Sequence, residues 1–260
     1  MNILGRITHL CSHPRTQRLA RILEPLREKR CAACGVPVPL AHHNGAATPL
    51  CATCQKALAR RESGFCIRCG EITTPSLPCA VCGECLSSPR PWERFFFHGA
   101  YQGLLRELVL RFKSRHEIAL AALLGSFLAN HPGITGPYDA VIPLPLHPQR
   151  LRERGFNQSL ELSRLLAGRL GAPLQPGLLT RAKATLSQAG LPIRARRDNM
   201  RGAFAVSPEA TQMRVLLVDD VATTCATLES ATHALLTAGT FAVDVAVLAR
   251  TPEDAHSKSP

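Results

Sequence analysis

The chain has 260 residues, long for one domain and enough for a small module beside a larger one. Its 45% hydrophobic and 5% aromatic content exclude a mainly disordered chain, and it contains no run of about 18 uncharged apolar residues that could span a membrane. The formal charge of +12 is uneven: eleven Lys or Arg lie between His147 and Arg201 and none between Val215 and Ala249, so an anionic partner is expected at the middle of the chain.

Residues 1–30 place Leu19, Ile22, Leu23 and Leu26 at helical spacing, which predicts an amphipathic helical segment docked on the body. The segment lacks the apolar stretch of a secretory signal, so a cytoplasmic protein is expected. Residues 31–90 read as a metal module. Cys31-Ala-Ala-Cys34, Cys51-Ala-Thr-Cys54, Cys66-Ile-Arg-Cys69 and Cys82-Gly-Glu-Cys85 are pairs whose short loops can each present two sulfurs to one tetrahedral Zn2+. Taken in order they make two sites of four thiolates, which leaves no position open for substrate, so both ions would be structural. Two such sites would lower the net charge by about four and leave the chain basic. The stretch is poor in large apolar residues and could scarcely hold a core without metal. Cys79-Ala-Val-Cys82 has the same spacing, so either Cys79 or Cys85 completes the second site. Cys11 reads as an ordinary buried thiol.

From Trp92 the pattern alternates between helical and strand periods, which predicts an α/β domain over residues 91–252 with a polar, disordered tail at 253–260. Leu104, Leu105, Leu108, Val109 and Phe112 form a helix face, and Ile118 to Ala129 resumes it. Asp139 to Leu144 reads as a short buried strand, and Phe156 to Leu170 as another helix. The most informative run is Arg214 to Leu228. Four apolar residues make a buried parallel strand, Asp219 and Asp220 emerge at its carboxyl end, and threonines lead into a helix from Ala226 to Leu236. A helix start with Thr hydroxyls suits a phosphate, and two carboxylates can accept hydrogen bonds from sugar hydroxyls, which together describe a ribose 5-phosphate. A P-loop reading of the Asp-Asp strand fails because the chain has no Gly-Lys dipeptide.

These residues resemble the ComF/GntX family, which joins a double zinc ribbon to a type I phosphoribosyltransferase domain with a parallel sheet. The resemblance covers about residues 30 to 250. It rests on the cysteine pairs, Phe95 to Tyr101 with Arg111-Phe-Lys113, Ile142-Pro-Leu-Pro145, Arg154-Gly-Phe-Asn-Gln158, Arg181 to Gln188 with Arg197-Asp-Asn199, and Val218-Asp-Asp-Val-Ala-Thr-Thr224. It implies Cys85 rather than Cys79 as the last zinc ligand. It also implies Mg2+ with phosphoribosyl pyrophosphate as the ligand. Asp219 and Asp220 would hold the ribose hydroxyls, and Val221, Ala222, Thr223, Thr224, Cys225, Ala226 and Thr227 would form the loop around the 5-phosphate. Pro143, Leu144, Pro145 and Arg150 would receive pyrophosphate. The family usually has Gly where this chain has Cys225, and a Cβ there would restrict the backbone or crowd the phosphate; a thiol beside a helix start could also have a lowered pKa.

The mechanism implied is displacement of pyrophosphate at the anomeric carbon, in which charge builds on the leaving group and nearby cations lower the barrier. Arg150, Arg152, Arg154, Arg181 and Lys183 are candidates, and Arg154 and Lys183 join Asp219 and Asp220 as the expected catalytic set. Asn157 and Gln158 either orient the sugar or cap a helix. Lys183 to Asn199 reads either as a mobile hood over the substrate or as a plain exposed connection. The resemblance links such chains to natural transformation or to DNA as a nutrient, with DNA-uptake proteins as partners. An alternative is a non-catalytic module that handles single-stranded DNA or senses a sugar phosphate, although one Trp and two Tyr offer few stacking platforms.

Overall fold

The computed structural model describes residues 29–38, 49–181 and 202–252. The expected N-terminal helix, Cys11, Lys183 and the hood segment, the basic stretch from residue 182 to 201, and the C-terminal tail lie outside these residues. By its internal contacts the chain divides into two compact units, Met1–Gln55 and Lys56–Pro260. The division falls within the stretch expected to form one double ribbon, so the second cysteine cluster belongs to the larger unit.

In the smaller unit, strands β1 (Lys29–Arg30) and β2 (Pro37–Val38) pair antiparallel around the first cysteine turn. The turn closes through Cys31 N–H to Val36 O at 2.8 Å and Gly35 N–H to Cys31 O at 2.8 Å. The short helix α1 (Ala52–Ala57) carries Cys54.

The larger unit begins with the second cysteine turn and the short helix α2 (Gly83–Ser87). Its sheet contains β3 (Phe95–Ala100), β4 (Ala140–Pro143), β7 (Arg214–Ala222) and β8 (Ala242–Arg250), all parallel, in the order β3-β8-β7-β4. Buried parallel strands read as continuous apolar runs, and β8 is buried at every position. Alternate side chains of each strand face opposite ways. Val215, Leu217, Val243, Val245 and Ile142 join Trp92, Phe95, Leu228 and Leu235 in one core cluster, while Leu216 and Val218 are fully buried but outside it.

Helices α4 (Leu120–Ala129) and α6 (Gln158–Leu170) pack on each other, and α6 packs on β4 and β7. Helix α7 (Ala226–Thr237) packs on β8 and on β6 (Phe204–Val206), which pairs antiparallel with β5 (Leu179–Arg181). Helices α3 (Gly103–Ser114) and α5 (Pro148–Arg154) complete the elements used below. At the amino end of the sheet the fully buried Asp244 accepts from Arg94 Nη2 at 2.7 Å and from Tyr138 Oη at 2.8 Å. Arg214 Nη1 lies 3.5 Å from the same carboxylate. No helix among the described residues is long and apolar enough to cross a membrane.

Candidate functional site

Because β4 and β7 are parallel neighbours, their carboxyl ends deliver two segments to one edge. Beyond β4, Leu144 N–H still bonds Val218 O at 2.8 Å, which holds Pro143, Leu144 and Pro145 beside the stretch of β7 that carries the two acids; β7 itself runs on to Ala222, so Val221 and Ala222, expected in the phosphate loop, are strand residues. The ligand of an open parallel sheet belongs at such an edge.

The Asp pair stands there with different partners. Asp219 Oδ1 accepts from Ser159 Oγ at 2.9 Å and from Asp220 N–H at 2.8 Å, whereas Asp220 Oδ1 meets Lys113 Nζ at 2.9 Å. Burial, and then the neighbouring Asp220 carboxylate, push the Asp219 carboxyl up to about 7; Lys113 and the two hydrogen bonds oppose the rise. Sequence reasoning missed Ser159 altogether, and it quoted Lys113 as part of a motif without giving it a role.

The run Arg154 to Gln158 is explained residue by residue. Arg154 Nη1 donates to Gln158 Oε1 at 3.2 Å, and Gly155 ends α5 in the left-handed region at φ 73°. Phe156 packs on the fully buried Phe112 with ring centroids 5.2 Å apart. Asn157 Oδ1 accepts from Ser159 and Leu160 N–H, and its Nδ2 donates to Leu144 O at 3.1 Å. Both polar ends of Asn157 are thus committed to capping α6 and tying the loop after β4, which is the capping alternative of its sequence reading. Gln158 is 1% exposed and holds Arg154. The cap also sets Ser159 against Asp219. In Arg111-Phe-Lys113, Arg111 pairs with Glu117 at 2.7 Å, Phe112 packs, and Lys113 reaches Asp220.

After Ala222 the chain turns through Thr223, Thr224 and Cys225 into α7. Cys225 has φ 63° and ψ −1°, the left-handed conformation that a side chain adopts at a cost and glycine adopts freely. The thiol is 3% exposed, and burial pushes its pKa up to about 11. The lowered pKa considered from its place at a helix start is therefore corrected: the sulfur is buried, and desolvation outweighs the positive helix end. Thr224 Oγ1 is buried without a hydrogen-bond partner. The first turn of α7 adds backbone N–H groups without intrahelical partners.

The guanidinium of Arg181 is held below its ordinary pKa by burial and then by Arg150, while Asp219 acts in the opposite direction. Arg150, Arg181 and Asp219 therefore share one electrostatic neighbourhood. Arg152 is exposed on α5.

The cysteines form two groups, Cys31, Cys34, Cys51, Cys54 and Cys66, Cys69, Cys82, Cys85, with the sulfurs of each within 4.8 Å of one another. Cys34 and Cys51 Sγ, like Cys69 and Cys82 Sγ, stand 3.8 Å apart. That is about the edge of a tetrahedron with ~2.3 Å metal–sulfur bonds and far beyond the ~2.05 Å of a disulfide. Cys66 Sγ accepts from Arg68 N–H at 3.4 Å and Cys82 N–H at 3.3 Å. Burial opposes ionisation of Cys66, but N–H groups of Cys82, Arg68 and Cys69 bring its pKa down to about 7, which suits a thiolate ligand. Each group could hold one Zn2+. Cys85 belongs to the second group; Cys79 stands outside it, with its sulfur 3.6 Å from Glu62 O.

The second group is built into the sheet domain. Gly70, at φ +71°, lies so close to β3 that an added Cβ would stand 2.5 Å from Phe95 Cε1. Trp92 Nε1 donates to Arg68 O at 2.6 Å. Arg90 pairs with Glu84 at 2.9 Å and with Glu229 in the first turn of α7.

A parallel sheet with paired acids, a threonine turn and a helix start at its carboxyl edge, preceded by cysteine clusters, defines a type I phosphoribosyltransferase-like domain with ribbon modules. No family model matches the chain. It is 36% identical over 229 residues to the DNA utilization protein YhgH of Salmonella typhimurium, across 85% of this chain and 96% of that protein. It is 31% identical over 210 residues to competence protein F of Haemophilus influenzae, across 77% of this chain and 90% of that one. The chain belongs to the ComF family. Solved structures similar to it include the hypoxanthine-guanine phosphoribosyltransferase of Leishmania donovani (16% identity, 55% of this chain and 76% of that chain, TM-score 0.31). Another is a purine phosphoribosyltransferase of Pyrococcus horikoshii (17% identity, 59% and 78%, TM-score 0.27).

Proposed function

We propose that the chain binds phosphoribosyl pyrophosphate with Mg2+ at the end of β7 and displaces its pyrophosphate, in a process connected with the uptake or use of DNA. The observation that carries this reading is the order of groups along one edge. Two carboxylates stand near the carboxyl end of β7, and after Val221 and Ala222, which remain in the strand, comes a threonine turn with the unpartnered Thr224 hydroxyl. The names of the relatives, DNA utilization protein and competence protein F, support the connection with DNA.

In this reading Asp219 and Asp220 accept hydrogen bonds from the two ribose hydroxyls. Thr223, Thr224 and the first N–H groups of α7 donate to the 5-phosphate. Breaking the bond at the anomeric carbon leaves its electron pair on pyrophosphate, and Arg150 and Arg181 supply positive charge on that side, with Arg154 and Lys183 as further candidates. Mg2+ bound together with the substrate would supply further positive charge to the leaving group. The zinc sites hold structure and take no part in the displacement.

Calorimetric titration with the Mg2+ complex tests the reading. Asp219→Asn combined with Asp220→Asn should weaken binding at least about a hundredfold, since each lost charged acceptor removes about 1.5–3 kcal/mol; unchanged binding refutes the site. Release of pyrophosphate with an acceptor marks a transferase, whereas binding without release marks a sensor.

A further inference from the structure

Arg250 ends β8 and is 5% exposed, yet no ligand-facing role has been found for it. Its guanidinium joins two places. On one side Nε donates to Cys69 O at 3.0 Å and Nη2 to Glu71 Oε2 at 2.5 Å, within and just after the Cys66–Cys69 pair. On the other side Nη1 donates to Ala222 O at 3.4 Å and to Thr223 O, the first carbonyls of the anion-receiving turn. Cys225 Sγ, in the same turn, lies 3.9 Å from Cys69 O. The carbonyl of a metal-ligating cysteine and the turn before α7 therefore share one buried cation.

We infer that Arg250 is a positioning residue that couples metal occupancy of the Cys66, Cys69, Cys82, Cys85 group to the geometry of the turn Thr223–Cys225. Four metal–thiolate bonds fix the peptide that follows Cys69, and hence the direction of its carbonyl. Arg250 carries that direction to the carbonyls of Ala222 and Thr223. Without the metal the peptide after Cys69 loses its tether, and the bond from Arg250 Nε to the Cys69 carbonyl loses its fixed direction. Arg90 adds a separate tie, from Glu84 on α2, between the ligands Cys82 and Cys85, to Glu229 in the first turn of α7. Coupling between sites is reciprocal, so an anion held by the turn must in its turn favour retention of the metal.

The coupling to the turn stands on the packing alone; its consequence for ligand affinity rests on the function proposed above. The test uses the full-length zinc-loaded protein with Arg250→Lys, Cys82→Ser and, as control, Cys79→Ser, which changes a cysteine outside the metal group. Three quantities are measured: zinc content, amide hydrogen exchange of residues 221–229 without ligand, and affinity for the Mg2+ complex of phosphoribosyl pyrophosphate. Cys82→Ser should lose one zinc equivalent and speed exchange in this segment. Arg250→Lys should retain both metals, speed exchange there about tenfold and weaken the ligand by a similar factor. Cys79→Ser should match the parent. Parental exchange in Arg250→Lys, or in a folded Cys82→Ser that has lost its metal, overturns the inference. If Cys82→Ser fails to fold, Arg250→Lys decides alone. Faster exchange in a protein whose parent binds no ligand supports the coupling and refutes the proposed function.

Discussion

Asp219→Asn should make the ligand-free protein more stable, by an amount that grows with pH. The Asp219 carboxyl is pushed up from 3.8 to about 7, so the fold holds its proton far more tightly than the unfolded chain does. The stability that comes from the protonated group is full below about pH 4 and is lost as the pH rises to about 7, where ionisation leaves a half-buried charge beside Asp220. Three pH units at about 1.4 kcal/mol each give roughly 4 kcal/mol. Because Asp219 titrates against Asp220 and Lys113, about half of that, ~2 kcal/mol, is the expected gain on removing the charge. An amide retains the arrangement: the oxygen that accepts from Ser159 and from Asp220 N–H is a single atom, Oδ1, and asparagine has one. The assay is thermal unfolding of parent and variant at a series of pH values in Mg2+-free buffer. At pH 8 the variant should melt about 4–8 °C higher, with the difference shrinking towards pH 4. A variant that melts at or below the parent at pH 8, or a gain independent of pH, refutes the account of this carboxylate.

Lys113→Met should destabilise by about 3 kcal/mol, because it leaves Asp220, 7% exposed, without its cation; chemical denaturation measures this, and a change under 1 kcal/mol means that water replaces the lysine. Cys225→Gly should relieve left-handed strain of about 1 kcal/mol while losing a buried sulfur of similar worth, so unfolding stability should move little. A loss above 2 kcal/mol would show that the side chain is needed for packing. Among the described cysteines, Cys79 should be alkylated first in the zinc-loaded protein, with Cys225 protected by burial and a pKa near 11, as peptide mass mapping would show; early labelling of Cys225 would contradict its place in the core.

The cysteine spacing and the apolar strand before the acids were legible because both are local patterns, a sulfur pair on a tight turn and an apolar run before a helix start; the strand's end was not, since β7 continues through Val221 and Ala222 by pairing with β8. Spacing alone left Cys79 and Cys85 equal; the family resemblance named Cys85, and the fold brings Cys85 to Cys66 and Cys69 as that implied. Lys113 and Ser159 were hidden for a related reason. Nothing near residue 113 marks it as the cation that will meet Asp220, and Ser159 looks like any residue of a helix start until the cap at Asn157 sets it against Asp219. At Cys225 the local sign misled: a helix end argues for an acidic thiol, but burial decides the direction.

The knot of Arg94, Tyr138 and Arg214 on Asp244 sits at the opposite extremity of the sheet from the twin acids. In the function proposed above, the domain thereby separates what clamps its strands from what would meet the ligand. Loops at the ligand rim can be redrawn by evolution, or by an engineer seeking another acceptor, while the far clasp keeps the strands in place.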